Sequence, residues 1–249
     1  MCSKAPAFFL EPALHLSYHI PMLSPLRIGP GIYVVAGPDL TDGRDALAYL
    51  IEDAGELALV DAGAGPSYTR ILDLIRAAGY DPSALRFIVA THNHIDHIGS
   101  LASFVRDFDP IIVAHGLDAT AIESADPVRT AARWYGIELA PVKVAMKLEG
   151  RIHRLVLGDS ELVCLHAPGH TPGSLVVYLD REGRRYLFGQ DIHGPFEAMF
   201  DSDLDAWRAS MRILIDLKAD VLCEGHYGVY HGADRVAEFI QGFLDRQSG

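Results

Sequence analysis

Phe87-Ile88-Val89-Ala90-Thr91-His92-Asn93-His94-Ile95-Asp96-His97-Ile98-Gly99 is the stretch on which the reading of the fold turns. Its first four residues form a short apolar run that reads as a buried strand. The residues from Ile98 to Phe108 read as a helix. Between them, three histidines and an aspartate fall within six residues, where a strand hands over to a helix. In open α/β architectures ligands bind at that position. Imidazole and carboxylate are the groups that hold a borderline divalent ion. A core can satisfy one histidine with a hydrogen bond. It gains nothing from three beside an aspartate, because unpaired buried polar groups are costly. The stretch therefore predicts a metal site.

Upstream, Ile32–Val35, Leu47–Ile51 and Leu57–Val60 read as strands, the last ending on Asp61 and Gly63. A helix is predicted from about Pro66, with Tyr68, Ile71, Leu72, Ile75 and Ala78 at helical spacing and Gly79 as its stop. Downstream, Ile111–Ala114 is a further strand. Residues 115–144 break the rhythm and are predicted as a helical insertion, with short helices over 116–123 and 128–135. Trp134 and Tyr135 are the largest apolar surfaces in it, and it reads as a packed hairpin or as a pocket wall. Strands are expected near 145–148, 152–156, 161–166, 174–179 and 185–188, divided by turn residues. A helix over 203–217 is expected to be capped by Ser202. A last strand, 221–223, and a last helix, 234–246, complete the pattern. With no Pro/Ser-rich linker, residues 26–249 read as one domain with two related halves, preceded by an N-terminal extension, 1–25.

Composition bounds the function. The chain has 249 residues, 49% hydrophobic and 22% charged, which suits a packed globular core. Its formal net charge of −12 argues against nucleic acid or an anionic membrane as partner. No window approaches the roughly 20 apolar residues that a membrane helix needs. Pro6, Glu11 and Pro12 interrupt the apolar start, leaving no signal-peptide core, so a cytoplasmic location is expected. Met22 is an alternative start. Cys2, Cys164 and Cys223 are odd in number and widely spaced, so no disulfide framework is expected; Cys164 and Cys223 read as buried small residues.

Three later segments repeat the layout of strand, glycine and metal-type ligand: His170 in a Pro/Gly-rich turn, Asp191 in Gly189-Gln190-Asp191, and His226 in Glu224-Gly225-His226. With Asp61 and His92-x-His94-x-Asp96-His97 ahead of them, they resemble the five motifs of the metallo-β-lactamase superfamily over roughly residues 26–246. The resemblance implies an α/β fold, a four-layer αββα sandwich of two mixed β-sheets flanked by helices. It implies two divalent metal ions, zinc first with iron or manganese as alternatives. His92, His94 and His170 would hold one, Asp96, His97 and His226 the other, and Asp191 would bridge them. Asp61 would orient the ligand loop. Asp96 is the candidate catalytic residue, and a metal-bridging hydroxide the implied nucleophile.

His193, Trp134, Phe196 and Tyr227 are candidates for a substrate pocket, with core packing the simpler reading for Tyr227. Met199, Phe200 and the 37–43 loop are further candidate walls. His166 is expected to support its turn. The resemblance implies a hydrolase of a small ester, thioester, lactone or related substrate. A mononuclear-iron, persulfide dioxygenase-like oxidoreductase is the alternative, and a non-catalytic metal-stabilised binding protein a third reading. Glyoxalase II members carry a helical extension after the last histidine, whereas 23 residues follow His226 here. Quorum-signal lactonases carry a tyrosine where this chain has Gly194. A small-molecule substrate is expected, and a homodimer is left open.

Overall fold

The computed structural model describes residues 24–189 and 191–247. The expectations for Cys2, Met22 and most of the 1–25 extension lie outside the described residues. In chain order the strands are β1 (Leu26–Gly29), β2 (Ile32–Ala36), β3 (Ala48–Asp53), β4 (Glu56–Val60), β5 (Leu85–Val89), β6 (Ile111–His115), β7 (Met146–Leu148), β8 (Ile152–Leu157), β9 (Ser160–His166), β10 (Leu175–Arg181), β11 (Arg184–Phe188), β12 (Val221–Cys223) and β13 (Val229–His231). The helices are α1 (Tyr68–Ala77), α2 (Ile95–Ile98), α3 (Leu101–Phe108), α4 (Gly116–Ser124), α5 (Ala132–Tyr135), α6 (Leu204–Asp216) and α7 (Ala233–Arg246).

One sheet runs β1 to β7 in sequence order and the other runs β13-β12-β11-β10-β9-β8. Each mixes parallel and antiparallel pairs. The four layers follow from side-chain alternation along the strands. In β4, Ala58 and Val60 face the other sheet and, with Tyr49 of β3 beside them, pack with its Cys164, Val177, Phe188 and Cys223. Their neighbours Leu57 and Leu59 face outward onto Ile71 and Ile75 of α1 and Phe104 of α3. On the far side, Val176, Leu187 and Leu222 face Trp207, Met211 and Leu214 of α6 and Ile240 of α7. This is the expected αββα sandwich. Cys164 and Cys223 are both buried free thiols. Among the described residues, no helix is long and apolar enough to cross a membrane.

Four details depart from the sequence reading. β1 and β13 were not anticipated: each has three or four residues, none fully buried, and glycines end or flank them. The helix expected over 98–108 is divided into α2 and α3. Ser202 does not cap α6; Asp203 does, its Oδ1 accepting from Asp205 N and Ala206 N at 2.9 Å each. The Ser202 hydroxyl donates instead to the His170 carbonyl at 2.7 Å, tying the α6 entrance to a candidate ligand loop.

The division between α2 and α3 falls at Gly99, where a Cβ would stand 2.2 Å from the Ala64 carbonyl carbon. That close approach of two backbones seats the ligand stretch against the turn after β4. Gly99→Ala is expected to destabilise the fold by about 3 kcal/mol through overpacking. Urea denaturation checks this, as a lower midpoint with an unchanged slope.

Candidate metal centre

The topology brings five strand ends to one edge of the sandwich. β4 and β5 are parallel neighbours, as are β11 and β12. β9 points the same way as β11, because both are antiparallel to β10. Asp61 follows β4, His92 to His97 follow β5, His170 follows β9, Asp191 follows β11 and His226 follows β12. All seven residues proposed as ligands, with Asp61, thus converge.

His92, His94, His170 and Asp191 each offer one donor atom, all within 4.8 Å of one another, and all four residues are buried. Asp96, His97 and His226 form a second set of the same kind. Asp191 stands between the two sets. Its Oδ2 lies 3.4 Å from His170 Nε2 and 3.7 Å from His92 Nε2. Its Oδ1 lies 3.1 Å from His226 Nε2 and 3.2 Å from His97 Nε2. Asp96 Oδ2 completes the second set, 3.4 Å from His226 Nε2 and 3.6 Å from His97 Nε2.

The hydrogen bonds around the cluster prepare these atoms. Asp61, fully buried, accepts from Thr91 N and Thr91 Oγ1 at 2.8 Å each and from His97 Nδ1 at 2.6 Å. His170 Nδ1 donates to the Pro195 carbonyl at 2.8 Å. With Nδ1 donating, Nε2 of each ring is left as the lone-pair nitrogen, the form in which imidazole binds metal. His92 Nε2, His97 Nε2 and Asp191 Oδ1 are buried without a hydrogen-bond partner. Buried polar atoms are ordinarily paired, so three bare ones in one cluster fit a site built for cations. His94 Nδ1 and His170 Nε2 face each other at 3.0 Å. Neutral rings share one proton there, and a single cation can take both nitrogens in its place.

The electrostatics divide the cluster in the same way. Burial holds His92 and His170 below the ordinary imidazole range, and burial with the nearby His170 takes His94 to about 3. These rings are neutral. Burial also opposes charge on His97 and His226, but the Asp191 and Asp96 carboxylates overcome it, raising His97 well up and His226 to about 10. Asp191 in turn is held well below its ordinary value by His97 and His226, against its burial. The second set thus calls for positive charge, which protons or a divalent ion can supply.

Several contributors were not read from the sequence. Tyr135 donates its hydroxyl to Asp96 Oδ2 at 3.0 Å. Glu224, fully buried, accepts from His226 N at 2.7 Å and Tyr227 N at 2.9 Å, holding the His226 turn. Asp118, at the start of α4, accepts from Thr171 Oγ1 at 2.7 Å and Gly173 N at 2.8 Å, fixing the turn that carries His170. Phe200, one of the candidate walls read from the sequence, packs its ring 4.3 Å from His94. His166 behaves as expected, its Nε2 bonding the Pro172 carbonyl of that turn at 2.8 Å.

A cavity of about 230 Å³ opens on the cluster, lined by Asp96, Trp134, Tyr135, Asp191, His193, Pro195, Phe200 and His226 among others. Of the residues expected around a pocket, Trp134, His193 and Phe200 line this cavity, with Ala131 and Tyr135 of the 115–144 insertion beside them. Phe196 is not among its lining residues; its ring packs on Trp207 at 5.0 Å. Tyr227 is half-exposed rather than a core residue. It lines an adjoining cavity of about 560 Å³ with Val34, the 37–40 loop, Leu47 and Val229, and His226 borders both spaces.

Comparison with known proteins agrees with this geometry. The family model described as the metallo-beta-lactamase superfamily matches residues 41–226. The chain belongs to the metallo-beta-lactamase superfamily. An acyl-coenzyme A thioesterase of Bos taurus is 26% identical over 256 residues, covering 88% of this chain and 86% of that one. A probable metallo-hydrolase of Bacillus subtilis is 25% identical over 236 residues, covering 82% and 89%. Among solved structures, a subclass B3 metallo-beta-lactamase of Bradyrhizobium japonicum superposes with a TM-score of 0.75 at 20% identity, covering 90% of this chain and 92% of that one.

Proposed function

We propose that this chain is a dinuclear metal-dependent hydrolase of a small acyl substrate, with a thioester favoured among ester, thioester and lactone. The observation that carries the reading is the position of Asp191, whose two oxygens face two separate donor sets that contain bare buried atoms. His92, His94 and His170 would hold one divalent ion, Asp96, His97 and His226 the other, and Asp191 would bridge them, with zinc the first choice. When bound, such ions acidify water toward neutral pH and polarise a carbonyl oxygen. The chain's own residues do the rest. Trp134 and Phe200 wall the cavity and restrict bulk water at the scissile carbonyl. Asp96, held by the Tyr135 hydroxyl, takes a proton from the attacking water and returns it to the departing oxygen or sulfur. An acyl ester or thioester plus water thereby gives a carboxylic acid and an alcohol or thiol.

Two observations support the thioester. The Bos taurus relative is named an acyl-coenzyme A thioesterase. The larger cavity beside His226 is walled by Val34, Leu40, Leu47 and Val229, apolar surface suited to an acyl chain. The test is a panel of acyl thioesters, esters and lactones run on metal-loaded protein. Asp96→Ala is expected to lower turnover about 10³-fold while the circular dichroism spectrum is unchanged. Full turnover in that variant contradicts the assignment of Asp96.

A further inference from the structure

We propose that His193 is a metal ligand, forming with Asp191 and His226 an outer seat for the second cation. This inference rests on the two-metal reading above and goes beyond it. The inner seat is Asp96, His97 and His226; the outer seat is Asp191, His193 and His226, whose donor atoms also lie within 4.8 Å of one another. Asp191 and His226 are already assigned as ligands, so the two seats are alternative positions of one ion rather than room for a third.

His193 is prepared as His97 is. Its Nδ1 donates to Glu224 Oε1 at 2.7 Å, as His97 Nδ1 donates to Asp61 Oδ2 at 2.6 Å. A buried carboxylate behind Nδ1 fixes the tautomer and leaves Nε2 with the lone pair, the usual support of a metal-bound imidazole. Among the described residues, the other side-chain bonds of Glu224 go to two backbone N–H groups, of His226 and Tyr227, which fix the turn carrying the shared ligand. One buried carboxylate therefore fixes the His193 ring and the backbone turn that carries His226. Their rings meet edge to face at 5.2 Å between centroids.

The two seats differ in access. Apart from the shared His226, the side chains of Asp96 and His97 in the inner seat are 4% and 0% exposed, whereas those of Asp191 and His193 in the outer seat are 5% and 15% exposed, and His193 lines the cavity. An ion in the outer seat stands at the cavity mouth, where it meets incoming substrate and exchanges with solvent. The ligand chemistry is nitrogen with one carboxylate, which suits zinc, cobalt(II) or another borderline divalent ion.

The test titrates metal-stripped protein with cobalt(II), following binding heat and the visible spectrum. Two equivalents are expected to bind the unaltered protein. His193→Ala is expected to leave the first equivalent unchanged, to weaken the second about 10- to 100-fold, and to alter only the second equivalent's absorption bands. On the unaltered protein, the nitrogen-15 resonances of the His193 ring should move when the second equivalent of cadmium is added, which tests the proposal without relying on the variant. Two equivalents bound with His193→Ala affinities unchanged and static His193 resonances overturn this proposal and leave the two-metal reading standing. A single equivalent in the unaltered protein overturns both.

Discussion

Asp191→Ala is expected to cost this protein its second metal ion and about 10³-fold or more in turnover, since the ions' Lewis acidity and water activation go with them. The size of the effect follows from position. Asp191 has an oxygen toward each donor set and lies within 3.7 Å of four histidine nitrogens. On the proposed two-metal reading, removing it would leave the two cations without the carboxylate that lowers their mutual repulsion. It also leaves His97 and His226 without the neighbour that most raises their affinity for positive charge. Loss of the second ion is measured by elemental analysis after gel filtration, and turnover on the best substrate of the panel. Wild-type metal content in Asp191→Ala contradicts a bridging role. Asp191→Asn keeps one oxygen and the shape of the side chain, so it should fall between the two.

Stripping the metals should destabilise the fold and couple stability to pH. Ligand binding to the native state adds RT ln(1 + [L]/Kd), about 4 kcal/mol at a thousandfold excess over Kd. Thermal melts with and without chelator measure this, and an unchanged midpoint contradicts it. The pH dependence has a definite sign. In the metal-free fold His226 is raised from 6.5 to about 10, chiefly by the Asp191 and Asp96 carboxylates acting against burial. Its proton therefore stabilises the metal-free fold fully below pH 6.5, and that contribution is lost as pH rises through about 10. A cation competes for the same nitrogen, so metal loading at pH 7 should release about one proton or more, and affinity should rise with pH. The stabilisation by metal is accordingly smaller at pH 6 than at pH 8. Calorimetry in two buffers of different ionisation enthalpy gives the proton count directly, and zero release contradicts the assignment of His226.

Much of this site was legible because each ligand sits where an apolar strand gives way to a glycine-rich turn. Runs such as Phe87–Val89, Tyr186–Phe188 and Val221–Cys223 announce themselves locally, and the ends gather once β4 and β5 share a direction in one sheet and β9, β11 and β12 share one in the other. Asp61 was legible for the same reason. The supporting groups were not, because their partners are distant in sequence. Tyr135 lies 39 residues from Asp96, His193 lies 31 from Glu224, and Thr171 lies 53 from Asp118. Nothing near Glu224 or Asp118 marks a buried carboxylate, since the bonds that offset its burial come from turns elsewhere in the chain. Phe196 and Phe200 show the same limit: both are aromatic and four residues apart, and only the placement of Trp207 and His94 decides which one faces the core. The α6 cap turned on a choice between adjacent Ser202 and Asp203, both good capping residues. Ser202 was drawn away by the His170 carbonyl, a tertiary contact that no local pattern encodes.

The central claim is that the cluster holds two cations bridged by Asp191. Its most direct test is anomalous diffraction from crystals of zinc-loaded protein, collected on both sides of the zinc absorption edge. The account predicts two zinc peaks per chain on either side of the Asp191 carboxylate. One lies among His92, His94 and His170, and the other is bounded by His226 with Asp96 and His97 or with His193. A single peak, or two peaks with Asp191 contacting only one, contradicts it.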